Sequence, residues 1–205
     1  GLALRQMAEL AELMGEENDY LARYEAMKET VNRVAWDGEW YARATMDDGR
    51  FLGVKREPMA KIWLNAQTWA VLSGMAPAQR AHQAMDSVRR YLNTPLGIKK
   101  IDPAMADYPT PEDPLTYYNK GCGENGSVFC HANAWAVIAE CLLGRGERAW
   151  EYYSQLLPMN AQAKAGEWRY KAEPYVYSSN IFGPESDKFG LANVSWLTGT
   201  AAWMY

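Results

Sequence analysis

Several things are scarce in this sequence, and each scarcity removes a class of protein. Positive charge is not in excess: 21 Lys and Arg stand against 25 Asp and Glu, for a formal net charge of -4. Without a basic stripe there is little to displace counterions from a phosphate backbone, so DNA or RNA binding is not expected. No apolar run approaches the roughly 18 residues that cross a bilayer, and the opening Gly1-Leu2-Ala3-Leu4-Arg5 lacks the layout of a secretory signal. A soluble, cytoplasmic protein is the expectation. Cysteine is sparse as well. Cys122, Cys130 and Cys141 are odd in number and crowded together, which suits neither a disulfide framework nor zinc-ligand spacing. Reduced thiols are expected, with no metal and no organic cofactor.

What the sequence does have is apolar mass: 48% of its 205 residues, enough for one sizeable core in a single domain or in part of a larger one. It is also rich in 9 Trp and 13 Tyr, which serve either a large helical core or a site where flat rings stack on sugars.

A helical pattern through Leu2, Leu4, Met7, Leu10, Leu13 and Met14 stops at Gly15, a residue suited to a left-handed C-terminal cap. Asp19 then reads as the N-cap of a second helix bearing Tyr20, Tyr24, Met27, Val31 and Val34 on one face. The unit recurs. Ile62, Leu64, Ala66, Trp69, Ala70 and Leu72 lead to Gly74, followed by a helix over 78–92; Trp135, Ile138, Ala139, Leu142 and Leu143 lead to Gly144, followed by a helix over 147–157. The three glycines are spaced by 59 and 70 residues. Hairpins of this kind bury one face each, so they stack into a solenoid or close into a ring, and long insertions favour a ring with its loops on one side.

The insertions are the segments of interest. Trp36-Asp37-Gly38-Glu39-Trp40-Tyr41 followed by Asp47-Asp48-Gly49 reads as a turn and a short β-hairpin. Residues 103–126 form a long polar loop leading to His131 at the head of a helix, and 167–190 form a second loop leading to a last helical run through Trp196 and Ala201 to Tyr205. The helical pattern is already under way at residue 1 and still apolar at residue 205. The expectation is therefore an all-α fold: about the second half of an (α/α)6 barrel, with short β-hairpins in its loops, making residues 1–205 a partial catalytic domain truncated at both ends.

Two segments carry chemistry. Gly121-Cys122-Gly123-Glu124-Asn125-Gly126-Ser127-Val128-Phe129-Cys130-His131 sets glycines, a carboxylate, an amide and an imidazole ahead of a helix start, where backbone N–H groups attract anions. The plainer alternative is a capped helix with His131 bonded to a carbonyl. Ser195-Trp196-Leu197-Thr198-Gly199-Thr200 places two hydroxyls around a glycine that lets a ligand approach the backbone. Its plainer alternative is a small-residue helix contact.

Five stretches in order, residues 123–131, 140–146, 173–177, 183–185 and 196–204, together resemble the cellobiose, chitobiose and related phosphorylases of glycoside hydrolase family 94. With the early Trp36 to Tyr41 motif, the resemblance spans essentially the whole chain. It implies that inorganic phosphate, as co-substrate, cleaves a β-linked disaccharide or oligosaccharide with inversion to give an α-sugar 1-phosphate. It also implies phosphate contacts at His131, Thr198 and Gly199, sugar contacts at Tyr118, Glu124 and Asn125, and a homodimer. Ser179 stands where several members have a glutamine and Gly123 where cellobiose-specific members have a lysine, which argues against cellobiose specificity. The family's general acid lies in a Trp-Asn-Asp-Gly type motif that does not occur here. No catalytic acid is therefore expected among these residues; it would belong to an earlier part of the parent polypeptide. Two alternatives stand beside this reading: the phosphorylase-like segment of a cyclic β-glucan synthase, and a non-catalytic helical carbohydrate-binding or interaction module.

Overall fold

The computed structural model of the protein describes residues 1–105 and 118–205, so the 106–117 portion of the expected 103–126 loop lies outside the described residues. Three helix hairpins dominate. The first joins α1 (Leu2–Met14) to α2 (Tyr20–Val34), the second α3 (Leu64–Leu72) to α4 (Ala78–Leu92), and the third α5 (Cys130–Leu142) to α6 (Gly146–Leu156). Each first helix ends at the glycine read as its cap: Gly15, Gly74 and Gly144 have φ of 69°, 70° and 70°, a conformation that costs a residue with a Cβ about 1–2 kcal/mol. At Gly15 and Gly144 the following residue donates back, Glu16 to the Ala11 carbonyl and Arg145 to that of Glu140, each at 2.9 Å. Asp19 occupies the start of α2 but caps nothing, because its carboxylate pairs with Arg23 at 2.9 Å and Asn18 Oδ1 accepts from the Tyr20 N–H instead.

The core forms where these hairpins meet. In α4, Ala81, Met85, Val88 and Leu92 recur at helical spacing and are buried in one cluster with Leu64, Val71 and Leu72 at α3 and Ala132, Ala136 and Ala139 of α5. Small residues along α5 let it pack closely on α3, α6 and the short terminal helix α9 (Thr200–Met204). Full burial of side chains such as Met85 and Leu92 contributes about 1.5–3 kcal/mol each. Charge reinforces the α4–α5–α6 junction. Asp86 accepts from Arg145 at 2.8 Å and Arg148 at 2.6 Å, and the fully buried Glu140 lies 3.6 Å and 3.7 Å from the same two guanidinium groups. Burial pushes the Glu140 carboxyl up, opposed by Arg148 and Arg145.

The all-α expectation is corrected by four small antiparallel sheets among the described residues. β1 (Ala44–Thr45) pairs with β2 (Phe51–Leu52), β3 (Ile62–Trp63) with β6 (Ile101–Asp102), and β4 (Asn93–Thr94) with β5 (Gly97–Ile98). The fourth sheet has three strands, β7 (Val128–Phe129), β8 (Ser178–Ile181) and β9 (Ala192–Ser195), in that order. Only the first was anticipated. For the other three the cause is that β3, β5, β7 and much of β8 lie buried, and a buried N–H or C=O must find a partner. Pairing with another inserted segment supplies it. Nor do the described residues display a barrel. The 167–190 stretch is likewise not a plain loop, since it contains α8 (Glu167–Tyr170) and β8, and α7 (Pro158–Ala165) precedes it unannounced.

Candidate functional site

The three-stranded sheet determines which residues meet. β8 runs antiparallel to both neighbours, with Phe129 opposite Asn180 and Asn180 opposite Asn193. β7 and β9 therefore run in the same direction and deliver the chain to the same edge. Two residues beyond β7 stands His131, in the first turn of α5; just beyond β9 stand Thr198 and Gly199. The turn between them is tight. Val194 and Trp196 adopt left-handed backbone at φ 54° and 70°, a strain of about 1–3 kcal/mol each that tends to gather at functional sites. The helix expected from Trp196 onward consequently begins only at Thr200.

At that edge the His131 ring faces Gly199: a Cβ added to Gly199 would fall 3.4 Å from Cε1. The other walls are indoles. Trp135, one turn along α5, is 5.0 Å from the imidazole centroid and Trp203 of α9 is 5.9 Å away, with Trp69 of α3 packed edge-on against both tryptophans. His131 Nε2 is buried and has no partner among the described residues, and neither has Trp135 Nε1. Among the described residues no hydrogen bond joins the imidazole to a carbonyl. Burial lowers the His131 pKa, which favours the neutral ring until an anion joins it. Thr198 is half-buried, and its hydroxyl lies 2.7 Å from that of Thr200 while accepting from the Thr200 N–H at 3.3 Å.

The glycine-rich turn ahead of β7 is closed by backbone bonds between Gly121 and Asn125 and between Asn125 and Cys122. Asn125 is buried, and its amide is spent on this fold. Oδ1 accepts from the Met105 N–H at 2.6 Å, and Nδ2 donates to the carbonyls of Met105 and Tyr118. Glu124 pairs with Lys100 and stays half-exposed. Tyr118 is exposed, with its ring edge against Gly123, where a Cβ would fall 2.6 Å from Cδ1. The three residues read from the sequence as sugar contacts therefore differ in freedom: Glu124 and Tyr118 are open to solvent, whereas Asn125 shapes the turn.

Reading the sequence missed the residues that hold this region. Asn133, fully buried in α5, accepts from the Ile98 N–H at 2.6 Å and donates to the carbonyls of Ile98 and Phe129, stitching the first turn of α5 to β5. Lys99 pairs with Asp102 at 2.6 Å and Glu185 at 2.5 Å. Burial alone would depress Lys99, but these two carboxylates outweigh it and hold the ammonium above its usual range. The signal was present: two lysines interrupt the otherwise apolar run from Leu96 to Ile101. All three cysteines are free, and burial pushes the Cys130 thiol up to about 12, which makes it unreactive. Among the described residues no cluster suited to a metal ion is found, and no helix is long and apolar enough to cross a membrane.

The profile described as "Glycosyl hydrolase 94 superfamily, catalytic domain" matches residues 1–205. The chain belongs to that superfamily. Among its relatives in glycosyl hydrolase family 94, a solabiose phosphorylase of Paenibacillus borealis is 37% identical over 207 residues, covering 99% of this chain and 27% of the relative. An N,N'-diacetylchitobiose phosphorylase of Vibrio proteolyticus is 37% identical over 211 residues, covering 99% and 26%. The cyclic beta-(1,2)-glucan synthase NdvB of Rhizobium meliloti (strain 1021) is 33% identical over 186 residues, covering 88% of this chain and 6% of that protein. The chain thus spans about a quarter of the length of the phosphorylases that it matches. In this family setting the tryptophan-walled imidazole and the Thr-Gly turn are parts of a catalytic domain.

Proposed function

We propose that this chain serves in an inverting glycoside phosphorylase, which uses inorganic phosphate to cleave a β-linked disaccharide or oligosaccharide. The observation that carries the reading is the His131 imidazole, with Nε2 unpartnered among the described residues, facing Gly199 at the edge where two strands end. Backbone and imidazole donors of this kind suit a tetrahedral oxyanion, and the positive end of α5 adds to them. In the reaction a phosphate oxygen bonds to the anomeric carbon from the face opposite the leaving group. The glycosidic C–O bond breaks, and the departing oxygen takes a proton from a carboxylic acid. Phosphate is already an anionic nucleophile, so no carboxylate base is required.

His131, Thr198 and Gly199 are assigned to phosphate. Glu124 and Tyr118 are assigned to sugar, with Asn125 holding their turn. The general acid is assigned to the parent polypeptide outside residues 1–205, because the Trp-Asn-Asp-Gly motif is absent from them. The same reading takes the enzyme to be cytoplasmic, without metal or organic cofactor, and homodimeric. The match to a cyclic beta-(1,2)-glucan synthase supports a second reading, a phosphorylase-like segment of such a synthase, more weakly because it covers 6% of that protein.

The test uses the full-length protein and a β-linked disaccharide, with and without inorganic phosphate. Formation of α-sugar 1-phosphate only when phosphate is present is the expected result. Equal release of reducing sugar without phosphate would make the enzyme a hydrolase and overturn the proposal.

A further inference from the structure

Lys99 and Lys100 are consecutive, and each is only 8% exposed. Lysine is among the residues least often buried without a partner, because stripping water from an ammonium is costly. A position that needed only packing would favour a leucine or methionine. The two side chains serve different loops. Lys99 clamps Asp102 and Glu185, whereas Lys100 pairs with Oε2 of Glu124 and sets its ammonium 4.6 Å from the centroid of the Phe129 ring.

The geometry around Lys100 is fixed from several sides. Its N–H donates to the Ser127 carbonyl at 2.8 Å, and its carbonyl accepts from the Leu64 N–H at 2.9 Å. Ser127 Oγ in turn donates to the Gly123 carbonyl at 2.6 Å, tying down the residue just before Glu124. The pair itself is lopsided. The Lys100 side chain is 9% exposed, while that of Glu124 is 36% exposed. One carboxylate oxygen is gripped by a buried cation, and the group as a whole reaches toward solvent.

An unrestrained glutamate surrenders rotamer freedom when it grips a ligand hydroxyl. One already held by a fixed cation has lost that freedom beforehand, so the hydroxyl meets a preorganised acceptor. The link to the reaction is short, because Phe129, the ring under the ammonium, lies two residues before His131. We infer that Lys100 is a positioning residue: it fixes the Glu124 carboxylate so that its outward oxygen accepts from hydroxyls of the bound sugar, and so sets how well the sugar is held and distinguished. The inference rests on the phosphorylase reading for the identity of the ligand, though not for the arrangement of the pair.

The test compares full-length wild-type enzyme with Lys100→Met, Lys100→Arg and the exchange Lys100→Glu with Glu124→Lys. Steady-state phosphorolysis gives KM for sugar and for phosphate separately, calorimetry gives the affinity for the free reducing sugar, and thermal melting reports stability. Lys100→Met is expected to raise the sugar KM about tenfold while moving the phosphate KM by less than about twofold. Lys100→Arg should recover most of the loss, and the exchange should restore melting without restoring sugar affinity. An unchanged ratio of the two KM values in Lys100→Met, or recovery of sugar affinity in the exchange, would overturn the inference. If Lys100→Met does not fold, Lys100→Gln carries the same comparison. Should the wild type prove independent of phosphate, the phosphorylase reading falls alone. Calorimetric sugar affinity then decides the role of Lys100: a loss of about fivefold or more in Lys100→Met supports it, and no change overturns it.

Discussion

The imidazole of His131 faces Gly199, near enough that an added Cβ would lie 3.4 Å from Cε1, although the two stand 68 positions apart in the chain. The φ of Gly199 is -83°, which any residue can adopt, and an added Cβ would only reach ordinary contact with the ring, so it is branched side chains larger than alanine that would crowd the imidazole. Gly199→Val should therefore push the ring aside. In the full-length enzyme the expected result is a rise in phosphate KM of about tenfold, with folding stability changed by less than ~1 kcal/mol because position 199 is exposed. A phosphate KM equal to that of wild type would remove Gly199 from the proposed anion site.

His131 predicts a signed pH effect. Its pKa is lowered by burial from 6.5, so between the two values the unfolded chain binds more protons than the folded one. Stability is then fully present above about 6.5 and is lost as pH falls through the folded value. His131→Gln should flatten this part of the acid limb in urea unfolding measured at pH 7.5 and 5.5. Anion binding works the other way, favouring the imidazolium. Calorimetry of phosphate binding in two buffers of different ionisation enthalpy should show proton uptake in wild type and less in His131→Gln; identical uptake in both would remove His131 from the linkage.

Asn133→Ala should destabilise the fold by about 2–4 kcal/mol, because it strands the buried Ile98 N–H and carbonyl, each costing about 1–3 kcal/mol. Gly97 is part of the same contact. At φ 119° it places any added Cβ 3.0 Å from Asn133 Oδ1 and 2.8 Å from Val128, so Gly97→Ala should be damaging as well. Denaturant midpoints within ~0.5 kcal/mol of wild type for Asn133→Ala would show that the loop holds without it.

Lys99→Met should cost about 3 kcal/mol, since it leaves Asp102 and Glu185 facing each other without a cation. The sign with pH is alkaline. The Lys99 pKa is raised above 10.5, so its contribution is full below that value and is lost as pH rises through the folded pKa. Unfolding followed from pH 9 upward should show a steeper loss in wild type than in the variant. Parallel curves would assign the alkaline limb to other groups.

Much of the helical frame was legible because its signals are local. Gly15, Gly74 and Gly144 cap where their sequence context places them, and α4 runs over Ala78–Leu92 as its pattern predicts. The third partner helix is offset by a single residue. Two-residue strands such as Ile62–Trp63 were not legible, because their partners lie far along the chain and no periodicity fits in two positions. Trp196 was misjudged for a similar reason: nothing local announces a tryptophan at φ 70°. At the site, His131 and Gly199 were read from motif resemblance, and the structure brings those two together. Asn133, Lys99 and Lys100 passed unnoticed because their distant partners, Ile98, Glu185 and Glu124 respectively, are brought to them only by folding. Asn125 illustrates the converse, a polar residue in the right turn whose amide is already committed to backbone.

The row that joins Phe129, Asn180 and Asn193 also separates two kinds of variation. The strand ends that lead to His131 and Gly199 are held in step by that row, whatever the path of the chain between α6 and β8. Exposed residues such as Met159, Trp168 and Tyr175 can change without touching that row, whereas Ala161 and Tyr170 are packed in one core with Val128 and Ile181. A protein built this way can diversify its outer surface while the edge bearing His131 and Gly199 keeps a constant gauge.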